Sequence, residues 1–341
     1  MRLSESLRRN ILRVGVGGII NKFKARERRD VLFFEDILAN YIKECEDAGY
    51  EKEMEEIGRK WMNLVIANLF PSAIRKLPMP ILSEMAKKIW ANLGLIRDLH
   101  FKKENDRAVI ETKDEWITRI IGKNSFAIGA FAGILNVFLG SKVRLIKSVQ
   151  SRDRCRYVYR VEKTTWLPPE SKKPAMRKTK EIAEERNFLL NDALRRKLFE
   201  IRPDNRLYFR RRSMVPVENT FQHLFSERKI MIKNVSNISY EYFAAAVDKS
   251  SAAESRLKLL KSILQITGWG SVKILVMLDG AISVEIMSPP RGLQVENDSW
   301  DFLSNVILGY VQLLDKKYEI CAIKDAGDIV RMSFRRSEQH T

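Results

Sequence analysis

Apolar positions in the first part of the chain recur every three to four residues, the period of an amphipathic helix, and then change to the two-residue alternation of half-buried strands. Residues 3–14 set Leu3, Leu7, Ile11 and Val14 on one face and Arg8, Arg9 and Arg13 on the rest, which predicts a short basic helix ending at the glycines of 15–18. Three further helices are predicted over 32–45, 54–69 and 81–93, the last closed by Gly94. Phe33, Ile37, Leu38 and Tyr41 form the inner face of the first of these, and Ile57, Trp61, Leu64 and Val65 that of the second. Strands then follow over 96–102 and 108–112 around an Asn105-Asp106 turn. A strongly apolar helix over 125–139, capped by Asn124 or Ser125, leads to a second strand pair over 143–149 and 154–161.

The later part of the chain replays this order. A helix over 182–199 precedes Arg206 to Ser213; a long helical pattern starts at Ser239, runs on to Leu264 and ends at Gly268. A hairpin of 272–278 and 281–286 turns at Asp279-Gly280, a helix spans 299–314, and a last hairpin joins 318–323 to 329–334. Gly94 pairs with Gly268, Ala108 with Ala281, Phe126 with Trp300, and Asp153, Arg156 and Tyr159 with Asp328, Arg331 and Phe334, at offsets of about 173 to 175 residues. The expected fold is therefore α+β: two similar domains, each a helical layer on an antiparallel sheet made of two hairpins with a helix between them. Residues 1–30 form a basic leading segment, 31–162 the first domain, 163–181 a basic proline-containing linker, 182–335 the second domain and 336–341 a tail. Gly129 and Gly133, four apart on one helical face, mark a close approach, for which the partner domain is the expected neighbour.

Composition adds a large positive charge. The net charge is +18 and the pI near 9.8, which favours an anionic partner: nucleic acid, an acidic protein or anionic lipid. The longest apolar run, 126–139, is shorter than the roughly 20 residues of a spanning helix. Cys45, Cys155 and Cys321 are odd in number and far apart, which argues against a disulfide framework and fits a reducing cytoplasm.

Helices first, then hairpin, helix and hairpin, with an aromatic entry to that helix and an Asp-x-x-Arg-x-x-aromatic ending, resembles the 4-vinyl reductase, or hydrocarbon-binding, domain. That family shares its fold with the Bet-type subunits of transport protein particle (TRAPP) tethering complexes. The resemblance covers about 31–162 and 206–335. It implies a module that binds a small hydrophobic effector between helices and sheet, or an assembly subunit. Many sensor members also hold zinc through a glutamate and cysteine pair around the last hairpin. Here Glu319 and Cys321 match only its first part and Cys155 only its later part, with Ile146 or Lys147 at the other position, so no complete tetrahedral set is expected.

No nucleophile elbow, phosphate loop or complete dinucleotide fingerprint occurs, and His100, His223 and His340 have no ligand-spaced partner. His100 reads as a solvent-facing strand residue and His223 as part of a loop. A non-enzymatic binding or assembly module without cofactor or metal is the expectation. A hydrophobic ligand would lie near Phe126, Phe131, Trp300 and Phe302. An anionic partner would meet Arg206, Arg210, Arg211 and Arg212, which flank Tyr208 and Phe209, and the linker's Lys172 and Lys173. A scaffold subunit without ligand and a nucleic-acid-binding regulator are the alternatives. Alternation sends Arg154, Arg156 and Arg160 to one face of the first closing hairpin, opposite Cys155, Tyr157, Tyr159 and Val161.

Overall fold

A computed structural model describes residues 12–15, 18–21, 28–70, 72–75, 77–170, 190–204, 206–293 and 298–337. Lys172, Lys173, His340, the first residues of the expected leading helix and most of the linker lie outside them. The leading strands are β1 (Leu12–Gly15), β2 (Gly18–Asn21) and β3 (Arg28–Phe34). Helices α1 (Glu35–Asp47), α2 (Glu51–Leu69), α3 (Ser72–Arg75) and α4 (Met79–Asn92) follow. The first hairpin unit is β4 (Asp98–Glu104), β5 (Arg107–Lys113), α5 (Thr118–Ile121), α6 (Ser125–Leu139), β6 (Ser141–Gln150) and β7 (Arg154–Thr165). The second half comprises α7 (Leu190–Arg195), β8 (Phe199–Ile201), β9 (Leu207–Phe209), β10 (Arg212–Glu218), α8 (Thr220–Arg228), α9 (Asn234–Ala246) and α10 (Ala253–Ile266). It closes with β11 (Ser271–Val276), β12 (Ile282–Met287), α11 (Asp301–Val311), β13 (Tyr318–Asp325) and β14 (Ile329–Arg336).

The class is α+β, and the duplication is visible in the strand order. One four-stranded antiparallel sheet runs β4-β5-β7-β6 and the other β11-β12-β14-β13, the same order in each half. Smaller features repeat as well. Asp114 and Ser288 both hold a positive φ, at 54° and 50°, and their N–H groups donate to the carbonyls of Asp153 and Asp328 at 2.9 and 2.7 Å. In space the counterpart of Phe126 is Phe302, each one residue into its helix, and Trp300 is the residue before α11.

A third sheet, unforeseen in the sequence, joins the halves. Its order is β1-β2-β3-β10-β9-β8, and its centre pairs Phe34 with Met214, Leu32 with Pro216 and Asp30 with Glu218. The expected boundary at residue 31 thus falls inside a strand. Residues 32–34, expected to open a helix, are extended because β10 offers them a ladder; the helix starts only at Glu35. Leu12–Gly15 likewise forms a hairpin strand with β2, Gly15 facing Gly18, where a helix was expected. So short a helix has little intrinsic stability, and cross-strand bonds decide its fate. The continuous helix expected from Ser239 is broken between Ala246 and Ala253; of the helix expected over 182–199, residues 182–189 lie outside the described residues, Leu190–Arg195 is helical and Phe199 begins a strand.

Aromatic rings continue across the junction. Trp116, Trp61, Phe126, Phe225, Phe302 and Phe33 succeed one another with centroid separations of 5.6, 5.5, 5.6, 5.5 and 5.7 Å. Phe225, from the second half, therefore sits between the equivalent rings of both halves. The two copies share one core.

The closest helix crossing lies within the first half. A Cβ on Gly129 would stand 1.8 Å from the Glu55 carbonyl oxygen, one on Gly133 2.6 Å from that of Arg59, and one on Gly58 2.2 Å from that of Phe126. These glycines pack α6 on α2 of their own half, which corrects the expected contact with the partner domain. An uninterrupted apolar helix needs a cover on every side, and the adjoining helix of the same unit supplies it at the glycine face. The second half repeats the crossing with Gly309 of α11 on Ser236 and Ser239 of α9.

Candidate functional site

Arginine and lysine side chains concentrate on the outer face of the β4-β5-β7-β6 sheet. Alternation turns Tyr157 and Tyr159 inward, fully buried, and leaves Arg154, Arg156 and Arg160 exposed, as the sequence implied. Pairing adds what the sequence could not give: Arg107 of β5 stands opposite Arg160 of β7, which stands opposite Arg144 of β6. Three like charges thus lie side by side across three strands, an arrangement that costs stability in the absence of counter-charge. Lys102, Lys113, Lys147, Arg154 and Arg156 occupy the same face, against Asp98, Glu104 and Glu111.

Those acids are already engaged. Asp98 lies 2.8 Å from Lys87 and 3.2 Å from His100, Glu104 pairs with Lys102 at 2.5 Å, and Glu111 with Arg156 at 3.2 Å. Burial works against the ionised form of Asp98, but Lys87 and His100 outweigh it and hold the carboxyl below its usual range. Arg160 reaches Asp106 only at 4.0 Å, and Arg107, Arg144, Lys147 and Arg154 have no ion-pair partner among the described residues. At one end of the face an open cleft of about 450 Å³ is lined by Asp98, His100, Glu111, Lys113, Val149, Arg154 and Arg156, together with Thr112 and Cys155 of the same β5 and β7 strands. His100 is solvent-facing, its side chain 60 % exposed, as expected.

Under the sheet is a buried polar group of a different kind. Glu115 accepts hydrogen bonds from Thr112 Oγ1 at 2.8 Å, from Thr118 Oγ1, and from Tyr157 Oη at 2.9 Å. Burial raises its pKa, and the hydroxyl donors only partly offset that. Cys155, beside it, is pushed up to about 11, by burial first and then by Glu115, the reverse of an activated thiol. Its Sγ lies 3.4 Å from the Ser151 carbonyl, and that of Cys321 3.2 Å from Ser333 O. Among the described residues no three His, Cys, Asp or Glu side chains are grouped as metal ligands.

Of the arginines expected to meet an anion, Arg206 and Arg212 are spent on contacts between the halves. Arg206 forms an ion pair with Asp114 of the first half, Arg210 donates to Ala246 O at 2.6 Å, and Arg212 reaches Asp36 at 2.9 Å while lying 5.0 Å over the Tyr242 ring. Arg210 and Arg211, both in the turn with φ of 45° and 75°, are the exposed members. Arg206 and Arg212 fasten the halves together and are not free for a partner surface, which corrects that expectation for these two, whereas Arg210 and Arg211 remain at the surface. The interleaved Phe209 is buried and Tyr208 is covered by Arg202 at 4.1 Å, so neither ring is free to stack a base.

The four aromatic residues expected around a ligand are all buried and packed on rings. Phe126 stacks on Trp61 and Phe302 on Phe225, as above; Phe131 meets Tyr157 at 4.9 Å, and Trp300 meets His223 at 4.7 Å. A nearby void of about 10 Å³ is lined by other residues, among them Phe33, Phe243, Leu264 and Leu303. His223 is not in a loop but in α8 and wholly buried, Nδ1 2.7 Å from Ser299 O, and burial lowers its pKa.

No helix among the described residues is long and apolar enough to cross a membrane. Compared with known protein families and with curated proteins, the sequence matches no family model and no curated protein.

Proposed function

We propose that the chain is a non-catalytic docking module that holds an extended polyanion on the outer face of its first sheet. The observation that carries this reading is the arginine row Arg107, Arg160 and Arg144, repulsive when bare and relieved by bound phosphate or carboxylate. The face is built on hydrogen-bonded strands over a core that buries the opposite surface, with a register shift between Leu145 and Lys147 next to the arginine row. An extended nucleic-acid backbone suits it through phosphate contacts alone, since the face carries no free aromatic ring.

The test is fluorescence anisotropy of labelled single- and double-stranded oligonucleotides over a salt series. Binding should weaken steeply with salt and depend little on base sequence. The triple variant Arg107→Gln, Arg144→Gln, Arg160→Gln should lose affinity and flatten the log K against log salt slope by roughly 2 to 3. Equal binding by the triple variant would remove the face from the argument.

The 4-vinyl-reductase resemblance supports a second reading, a hydrophobic effector bound between β3 and α10–α11. The apolar void there gives it a place, but a ligand of even a few carbons needs that void to widen. A rise in melting temperature with hydrophobic ligands, abolished by Leu303→Trp, would favour it.

A further inference from the structure

The two copies differ most sharply at one hairpin end. In the first half β4 turns into β5 through Lys103, Glu104, Asn105 and Asp106, all exposed and polar. In the second half β11 runs through Leu275 and Val276 into Met277 and Leu278 before the Asp279-Gly280 turn. Relative exposure there is 36 % for Leu275, 61 % for Val276, 53 % for Met277 and 111 % for Leu278. Four consecutive large apolar side chains stand in water at the tip of an edge strand. Because strand residues alternate, Leu275 and Val276 bare opposite faces of the hairpin, and Met277 and Leu278 continue the exposed apolar run into the turn. The tip is held in shape: Met277 N–H donates to Ala281 O at 2.8 Å, and Tyr318 Oη donates to Gly280 O at 2.8 Å. The first half shows that this fold does not require an apolar tip.

We propose that this hairpin tip inserts into the interface of a bilayer rich in anionic lipid. A protein groove or an added strand covers one side of a hairpin end, whereas acyl chains cover both faces, as this distribution of exposed side chains demands. A second copy is disfavoured as the occupant, because two chains of net charge +18 repel, while an anionic bilayer attracts the same charge. Lys316, Lys317, Arg335 and Arg336 stand at the same end of the sheet, at the level of the headgroups once the tip is buried. The acids there are Asp279, Asp315 and Glu319; Asp279 pairs with Arg335 and Asp315 with Arg336, each at 3.2 Å. Attachment of this kind is peripheral, through a few side chains, and needs no spanning segment.

The experiment is sedimentation of the full chain with phosphatidylcholine vesicles and with vesicles of phosphatidylcholine and phosphatidylserine at about 7:3. The wild type should bind the mixed vesicles and bind pure phosphatidylcholine far more weakly. Leu278→Asp should weaken binding to mixed vesicles at least about tenfold, and Leu278→Phe should retain it. In Leu278→Trp, a fully exposed site where folding is not at stake, the added indole's emission should shift to the blue on vesicles. Absence of vesicle binding, or full binding by Leu278→Asp through basic surface alone, would overturn the proposal. So would self-association of the wild type, without lipid binding, that Leu278→Asp abolishes. The Arg107, Arg144 and Arg160 variant serves as a separate arm, so loss of polyanion binding and loss of membrane insertion are read independently.

Discussion

Glu35 is a buried carboxylate that ties the first half together and reaches across to the second. Fully buried at the start of α1, it accepts from Arg119 Nη2 at 2.6 Å, from Ile117 N–H at 3.0 Å and from Ser213 Oγ of β10 at 2.8 Å. It thereby also holds Ile117 in a backbone conformation, φ 62°, that a β-branched residue rarely adopts. Replacing Arg119 by Met leaves a buried carboxylate without its cation, and urea denaturation should report a loss of about 3–5 kcal/mol, partly restored by adding Glu35→Gln. Two further buried groups make stability depend on pH in opposite directions. His223 has a lowered pKa, so its contribution is present above the ordinary value of 6.5 and is lost as pH falls through the folded value. Glu115 has a raised pKa, so its contribution is present below the ordinary 4.5 and is lost as pH rises through the folded value. Denaturation midpoints across pH should fall on both sides, and Glu115→Gln should flatten the alkaline side alone. None of these partners is visible in sequence order, since Glu35 and Ser213 are far apart along the chain.

At the scale of elements, most helices and strands could be read from periodicity. The sequence placed α6 at 125–139 with Asn124 as one of two caps, and Asn124 Oδ1 accepts from Ala127 N–H at 2.7 Å. The paired hairpins also lie where alternation put them, at most a few residues longer or shorter at their ends. Failures cluster where a second element overrides local preference: residues 32–34 joined a sheet because β10 lay beside them, and 12–15 because β2 did. The glycines of α6 were rightly read as a close approach but not to which neighbour. Gly129→Ala must push α2 and α6 apart against backbone, and a destabilisation of about 1–3 kcal/mol or more is expected by thermal or chemical denaturation. The arginine cluster at 206–212 shows the complementary difficulty: a charge run says nothing about whether its partners are already present in the fold.

For the whole molecule, one consequence follows from the shared sheet and the shared ring series. The halves should not unfold separately, so calorimetry is expected to give a single transition, and a fragment of residues 31–162 should not fold alone. Phe225→Ala, which removes the ring between Phe126 and Phe302, should cost about 3–5 kcal/mol while keeping that single transition. Two separate transitions would mean that the junction is weaker than its burial indicates. By itself the sequence determined the duplication, the α+β class, the hairpin units and the positive charge, because periodicity and composition are local properties summed along the chain. Tertiary structure alone decided that β3 and β10 join the halves, that Arg206 and Arg212 turn inward, and that Arg107, Arg160 and Arg144 form one row. These depend on which distant segments meet, and strand register is fixed when one face of a sheet is buried against its neighbours.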